Sequence, residues 1–503
     1  MNIQEAKEQI KNTVRAYLTQ DNLGRYLIPP YKQRPVFLMG PPGIGKTAIM
    51  EQIASELHIG LLSYSMTHHT RQSALGLPVI KHVEYDGKPY DISEYTMSEI
   101  ISSIYEMQER TGIRTGILFL DEINCVSETL TPIMLQFLQY KVFGRHTVPP
   151  GWIVVTAGNP PEYNNAVREF DIATWDRLKR MDVEPDFAAW KEFAYESGVH
   201  ASIMTYLSND ENYMNRFYRV KSTVDGKRFV TARGWDDLSQ MLYLYEMHNI
   251  PVDVKLIGQY IQDPEIASHF SAYYDLYNKY RSDYQIASIL EGKAEPEIRR
   301  RAKNAKFDER YSLLGLLLEA VMSGMKRCMD DDGHLSSLLV ILKGIKQSLA
   351  NGSGDAGTLL EQAIANQEET TQRATQARSL TNEQQYAAAR LLHALTTLLM
   401  QVGTHPEEDG FTVIKRHFDA QVAELHADVQ HVSAQVSNMF QFCDDVYPDG
   451  RELSILVAEL TANPHSARFL AKYRVEEYFI HNKSLMFQER RREILSEIES
   501  LDL

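Results

Sequence analysis

Val36-Phe37-Leu38-Met39-Gly40-Pro41-Pro42-Gly43-Ile44-Gly45-Lys46-Thr47-Ala48-Ile49-Met50-Glu51-Gln52-Ile53-Ala54 sets the architecture of this chain. Four apolar residues predict a short buried strand, a Gly/Pro turn ends it, and apolar residues at helical spacing follow. Between strand and helix stands GxxxxGK[ST], Gly40 to Thr47, in the strand–loop–helix setting that the pattern requires. Its glycines let successive backbone N–H groups turn inward on phosphate oxygens, and the helix start adds its partial positive charge. The candidate nucleotide-binding residues are Gly40, Pro41, Pro42, Gly43, Ile44, Gly45, Lys46, Thr47 and Ala48. Lys46 is expected to reach the β and γ phosphates, and the Thr47 hydroxyl to bind Mg2+.

Two further apolar runs predict partner strands in a parallel sheet covered by helices. Ile117-Leu118-Phe119-Leu120 runs into Asp121-Glu122. A carboxylate at the end of a buried strand is costly without a cation, so Asp121 is expected to hold the Mg2+ and Glu122 to orient and polarise an attacking water. Trp152-Ile153-Val154-Val155-Thr156 runs into Ala157-Gly158-Asn159-Pro160, and the Asn159 amide could hold that water or the γ-phosphate. All three runs end in the polar or glycine residues that line ligand crevices in open α/β sheets.

Composition bounds the rest. At about 150 residues per domain, the 503 residues predict roughly three domains. Lys+Arg 52 against Asp+Glu 67 gives a net charge of −15, which argues against a polyanion as the partner of the whole surface. Cys125, Cys328 and Cys443 are widely spaced and form neither a disulfide framework nor a CxxC zinc pattern. No run approaches a membrane span, and Met1 to Glu8 lacks the basic and apolar regions of a signal peptide, so the expected location is cytoplasmic. From about Phe187 the spacing turns helical, and from about Tyr311 almost everything reads as helix. Asn351 to Gly357 reads as a flexible linker. Without sustained heptads, a helical bundle is expected rather than a long coiled coil.

The Gly40–Thr47 loop, the Asp121-Glu122 pair and Asn159, in this order on three strands, resemble an AAA+ ATPase. Within that class the chain is similar to the MoxR family, whose D-E-I-N motif stands here as Asp121-Glu122-Ile123-Asn124 and whose N-P sensor stands as Asn159-Pro160. The family's L-D-R-F-like segment is Trp175-Asp176-Arg177-Leu178 here, with Trp175 for Leu and Leu178 for Phe. The resemblance implies that Arg177 is the arginine finger reaching into a neighbouring subunit's site, with Arg168 and Arg180 as alternatives. It places the second sensor at Arg233, in Val230-Thr231-Ala232-Arg233-Gly234, where Ala232 replaces the usual proline. It also implies a helix-two insert at about 64–94, before a helix over Tyr95 to Glu109, and a short hairpin over Tyr140 to Pro150. Tyr85, Lys88 and Phe143 there are either substrate grips or hairpin packing.

The resemblance covers roughly Met1 to Glu246. The implied fold class is α/β plus all-α: an AAA+ P-loop parallel-sheet core over 1–185, a small helical lid over 186–265, a helical region over 266–350 and a C-terminal helical bundle over 351–503. The implied function is an ATP-hydrolysing, Mg2+-dependent ring, a hexamer by resemblance, that remodels a protein substrate or activates a partner with a von Willebrand factor A (VWA) domain. Two other readings stand beside it. A nucleic-acid motor is opposed by the acidic balance and the lack of a binding module. A nucleotide-gated scaffold with slow turnover is opposed by intact Lys46, Asp121, Glu122 and Arg177.

Several conspicuous features read as structural. His68-His69 cannot face one metal site on a helix and read as polar loop residues. Asp330-Asp331-Asp332-Gly333-His334 lacks calcium-loop spacing and reads as a turn between helices. Arg299 to Lys303 and Arg490-Arg491-Arg492 read as charged helix faces, and Met322 and Met325 as packing.

Overall fold

The computed structural model describes residues 1–163, 167, 170–208, 213–223, 226–447 and 451–483. It divides into two compact units: residues 1–186 with 362–392, and residues 187–361 with 393–503.

The first unit is built on five parallel strands. In chain order it contains α1 (Ile3–Leu18), β1 (Val36–Met39), α2 (Lys46–Leu57), β2 (Gly60–Ser65), α3 (Arg71–Leu75), β3 (Pro78–Tyr85), β4 (Lys88–Tyr95), α4 (Glu99–Thr111) and β5 (Gly116–Asp121). These are followed by α5 (Thr131–Tyr140), β6 (Val142–Phe143), β7 (His146–Thr147), β8 (Trp152–Gly158), α6 (Ile172–Trp175) and β9 (Lys179–Asp182). The sheet order is β2-β5-β8-β1-β9, all parallel, with Val36 opposite both Val155 and Lys179. The three runs expected as strands are β1, β5 and β8. Their side chains are buried almost without interruption, as a sheet covered on both faces requires.

Close packing explains one pair of glycines. Gly60, Gly116 and Trp152 are in register across three neighbouring strands. A Cβ on Gly116 would stand 2.7 Å from the Trp152 ring, and one on Gly60 would stand 2.9 Å from the Met107 sulfur. The indole therefore needs both positions bare.

The insert region carries an antiparallel β-hairpin. Tyr64 belongs to β2, the expected helix begins at Glu99 rather than Tyr95, and the Ser98 hydroxyl caps it by accepting from Ile101 N–H. Between them β3 and β4 pair antiparallel around Asp86-Gly87, whose φ values of 54° and 70° make the left-handed two-residue turn that Asp-Gly favours. The α5–β7 segment forms the expected short hairpin through β6 and β7.

The second unit begins with α7 (Phe187–Ser197), α8 (Ala201–Ser208), α9 (Tyr213–Phe217), β10 (Arg219–Thr223), β11 (Gly226–Val230), α10 (Ala232–Met247), α11 (Val254–Tyr260) and α12 (Pro264–Asp283). Trp190, Trp235 and Phe270 centre its first core. The chain continues through α13 (Ile286–Leu290), α14 (Pro296–Asn304), α15 (Phe307–Ala350), α16 (Ala356–Gln376), α17 (Asn382–Thr404), α18 (Gly410–Val446), α19 (Arg451–Ala462) and α20 (Pro464–Lys472). Leu317, Met325, Val436, Phe440 and Leu456 form a second core along α15, α18 and α19. Among the described residues no helix is long and apolar enough to cross a membrane.

Three expectations change here. The β10–β11 hairpin interrupts the region read as wholly helical. Asp330 to His334 lie inside the 44-residue helix α15 rather than in a turn. The 351–503 segment, read as one bundle, divides: its residues 362–392 pack with the sheet unit. Asn351 to Asp355 form the short turn between α15 and α16.

A charge network anchored on a buried histidine lies against the first core of the second unit. His200 is fully buried, with Nε2 3.1 Å from Glu246 Oε1, and the Tyr274 hydroxyl donates to the same oxygen at 2.8 Å. Burial opposes the Glu246 charge, but the bonds from His200 and Tyr274 and the nearby Arg281 outweigh it and hold the carboxyl down to about 2. A carboxyl held below its ordinary 4.5 stabilises the fold above that pH, and the contribution is lost as pH falls toward 2. Glu246→Gln should therefore cost ~2 kcal/mol at neutral pH, and its difference from the native chain should shrink by half or more at pH 3. Urea titrations at the two pH values check this; a constant difference would contradict it.

Candidate functional site

The loop after β1 owes its shape to two left-handed glycines. Gly43 and Gly45 have φ of 76° and 95°, and Gly45 caps the N-terminus of α2. Gly40 N–H donates to Gly158 O at 3.2 Å, joining the loop to the end of β8. A Cβ on Gly40 would stand 2.7 Å from the Val183 carbonyl. Pro41, Pro42 and Ile44 complete the turn, and Lys46, Thr47 and Ala48 open the helix.

Lys46 is only 8% exposed. Its ammonium donates to Gly40 O at 2.7 Å, Pro41 O at 2.9 Å and Asn159 Oδ1 at 2.9 Å. The residues expected on the first and third runs thus meet directly. Thr47 Oγ1 donates to Asp121 Oδ2 at 3.2 Å, which brings in the second run. Asp121 Oδ1 accepts from Glu122 N–H at 2.8 Å. Among the described residues Asp121 has no ion pair, although it closes a strand that is otherwise buried. A hydroxyl and a carboxylate without a cation are the hard-oxygen donor set that suits Mg2+. That chemistry fits Thr47 and Asp121 as its holders.

Glu122 stands at a strained position, with φ of 55° in a residue that is not glycine. Its Oε2 accepts from Ser65 Oγ and Thr67 Oγ1, both at 3.1 Å. Ser65 ends β2 in register with Asp121, and Thr67 lies in the turn that follows. Neither residue was singled out from the sequence, since a hydroxyl more than fifty positions from its acceptor leaves no spacing signal. Asn124, seen only as part of a motif, also has a structural job. It is 2% exposed and donates from Nδ2 to Asn159 O at 2.8 Å. Gly158 leaves no room for a Cβ against that amide. Asn124 therefore fixes the backbone that presents Asn159.

Cys125 lies beside these carboxylates. Burial, with Glu122 and Asp121 adding repulsion, pushes its thiol above the ordinary range.

The arginines separate clearly. Arg177 is exposed, in the turn after α6, and its side chain makes no hydrogen bond or ion pair among the described residues. Arg180 is already engaged, with Nε 2.8 Å from Asp182 Oδ1 and its guanidinium 4.7 Å from the Trp175 ring centre. Arg168 lies outside the described residues. Of the two departures from the L-D-R-F pattern, Leu178 is in the core and Trp175 is half-buried against it. Trp175 sits edge-on to Phe37 at 5.1 Å, and Leu178 is 4% exposed. Arg233 is exposed in the first turn of α10, where the Thr231 side chain caps by accepting from Gly234 N–H.

Of the hairpin candidates, Tyr85 and Lys88 stand exposed beside the β3–β4 turn. Phe143 is fully buried and stacked on Phe137 at 4.1 Å, so it packs the hairpin and cannot grip anything outside.

Residues 36–174 match the family model described as the ATPase family associated with various cellular activities (AAA). No curated protein matches the chain.

Proposed function

From the AAA ATPase domain that residues 36–174 make, we propose an ATP-hydrolysing ring of the MoxR type that remodels or activates a partner protein in the cytoplasm. The observation that carries the ATP reading is the meeting of Lys46, Thr47, Asp121 and Asn159 at one end of the sheet, through contacts of 2.9–3.2 Å. On this reading the Lys46 ammonium exchanges its loop carbonyls for β- and γ-phosphate oxygens, while the inward-turned loop N–H groups hold the rest of the triphosphate. Thr47 and Asp121 hold the Mg2+, which would screen the phosphate charge. Glu122 orients and polarises the water that displaces ADP from the γ-phosphorus, and Asn159 keeps that water in line.

Arg177 completes a neighbour's site. An exposed guanidinium that makes no hydrogen bond or ion pair among the described residues suits that role better than Arg180, which is held by Asp182 and Trp175. Arg233 is the second sensor, touching the γ-phosphate. The ring is taken as a hexamer by the family resemblance, and a VWA-domain protein as its partner. The exposed β3–β4 hairpin, with Tyr85 and Lys88, is the part suited to grip a protein substrate.

The test is ATP turnover and mass of the native chain with and without ATP. Assembly that rises with ATP together with turnover supports the reading; a monomer that stays inert with ATP and candidate partners overturns it. Arg177→Ala should bind ATP normally, while turnover in its assemblies falls by about 10^3-fold or more. Mixing it with Lys46→Ala subunits, whose own sites are empty but whose arginines are intact, should restore part of the rate. No recovery on mixing would move the finger elsewhere.

A further inference from the structure

Strand β2 is an edge of the sheet, paired with β5 on one side only. Its other side meets a segment some three hundred residues downstream. The turn between α16 and α17 packs on it: Leu61 N–H donates to Ala377 O at 3.1 Å, and Ala377 and Ser379 are buried. One residue of α17 reaches the neighbouring helix, where Gln384 Oε1 accepts from Ser55 Oγ at 2.7 Å in the last turn of α2. The same Gln384 oxygen accepts from Thr381 N–H, and the Thr381 hydroxyl accepts from Gln384 N–H, so the tip is closed by a capping box.

The two elements gripped here both run to the ATP site. Ser55 is about 14 Å along α2 from Lys46, and Leu61 about 13 Å along β2 from Ser65. Ser65 and Thr67 are the hydroxyls on Glu122 Oε2. A strand paired on one side has freedom on the other unless something holds it, and the turn supplies that hold.

We propose that the α16–α17 tip is a restraint on ATP hydrolysis: Ala377 and Gln384 fix β2 and the end of α2, and thereby keep Ser65 and Thr67 against Glu122. This rests on the ATP-hydrolysis reading above. The held Glu122 carboxylate is the resting arrangement, because two hydroxyl donors on one oxygen compete with the water it must polarise. Helices α16 and α17 run on past residues 362 and 392 into the second unit. A load on those helices can then loosen the grip and raise turnover.

Ala377→Leu adds a side chain where no space exists and pushes the turn off Leu61. In the full chain it should raise kcat by about threefold or more and leave KM for ATP within about twofold. In a Ser65→Ala/Thr67→Ala background, which already frees Glu122, it should add nothing. If Ala377→Leu does not fold, Gln384→Ala with Ser55→Ala tests the same grip at its periphery, and Gln384→Glu, which keeps the acceptor, should restore the native rate. An unchanged or lower kcat, or a gain that multiplies in full in the double-alanine background, overturns the proposal. Hydrogen exchange separates this from failure of the ATP reading. Amides 61–67 should lose protection in Ala377→Leu while β5 and β8 keep theirs, with or without turnover; unchanged 61–67 amides overturn the proposal by themselves.

Discussion

Lys46→Ala should abolish productive nucleotide binding, lowering kcat/KM for ATP by about 10^3-fold or more. The ammonium is 8% exposed and bridges Gly40 O, Pro41 O and Asn159 Oδ1, so it is preorganised at the mouth of the loop. A charge already desolvated and aimed costs little to reorganise when phosphate arrives, which is why its removal is felt so strongly. Lys46→Arg should not rescue, because the longer planar head cannot occupy a point shared by three acceptors. Binding of a fluorescent ATP analogue checks both variants. Near-native affinity in Lys46→Ala would remove the loop from the ATP site.

Glu122→Gln should separate binding from chemistry. The amide keeps the size of the carboxylate and still offers an oxygen to Ser65 and Thr67, so the local fold survives. It cannot polarise water as a carboxylate does. Turnover should fall by about 10^2–10^4-fold while ATP affinity stays within about threefold. If the chain assembles with ATP, this variant should hold the assembled state, and sizing with ATP reads it. Turnover within tenfold of native would give the water to another residue.

The parallel sheet and the convergence of Lys46, Thr47, Asp121 and Asn159 were legible because each depends on local pattern. An apolar run, a strand end and a glycine loop carry their own geometry, and the carboxyl ends of neighbouring strands then meet by topology. What escaped depended on partners distant in sequence or on faces with no periodic signal. Ser65 and Thr67 meet Glu122 only because β2 lies beside β5. Ser55 meets Gln384 across 329 positions. The β10–β11 strands carry Arg219, Lys221, Lys227 and Arg228, and their few apolar residues, Val220, Phe229 and Val230, are too short a run to announce them. Asp330 to His334 read as a turn from their own propensities, but the apolar residues of α15 on both sides carry the helix through. Phe143 could be a grip or hairpin packing by its type alone, and only its partner Phe137 on the preceding helix, which buries it, decides for packing.

The order in which the chain is made gives the turn after α16 another consequence. Every strand of the sheet has been synthesised by residue 182, but the segment that covers the edge at Leu61 is complete only at residue 392. At ~5–20 residues per second of translation, the nascent sheet waits about ten to forty seconds with that edge bare. A bare parallel edge invites pairing with other chains. Fragments cut near residue 186 keep that exposure for good and should aggregate where the full chain does not.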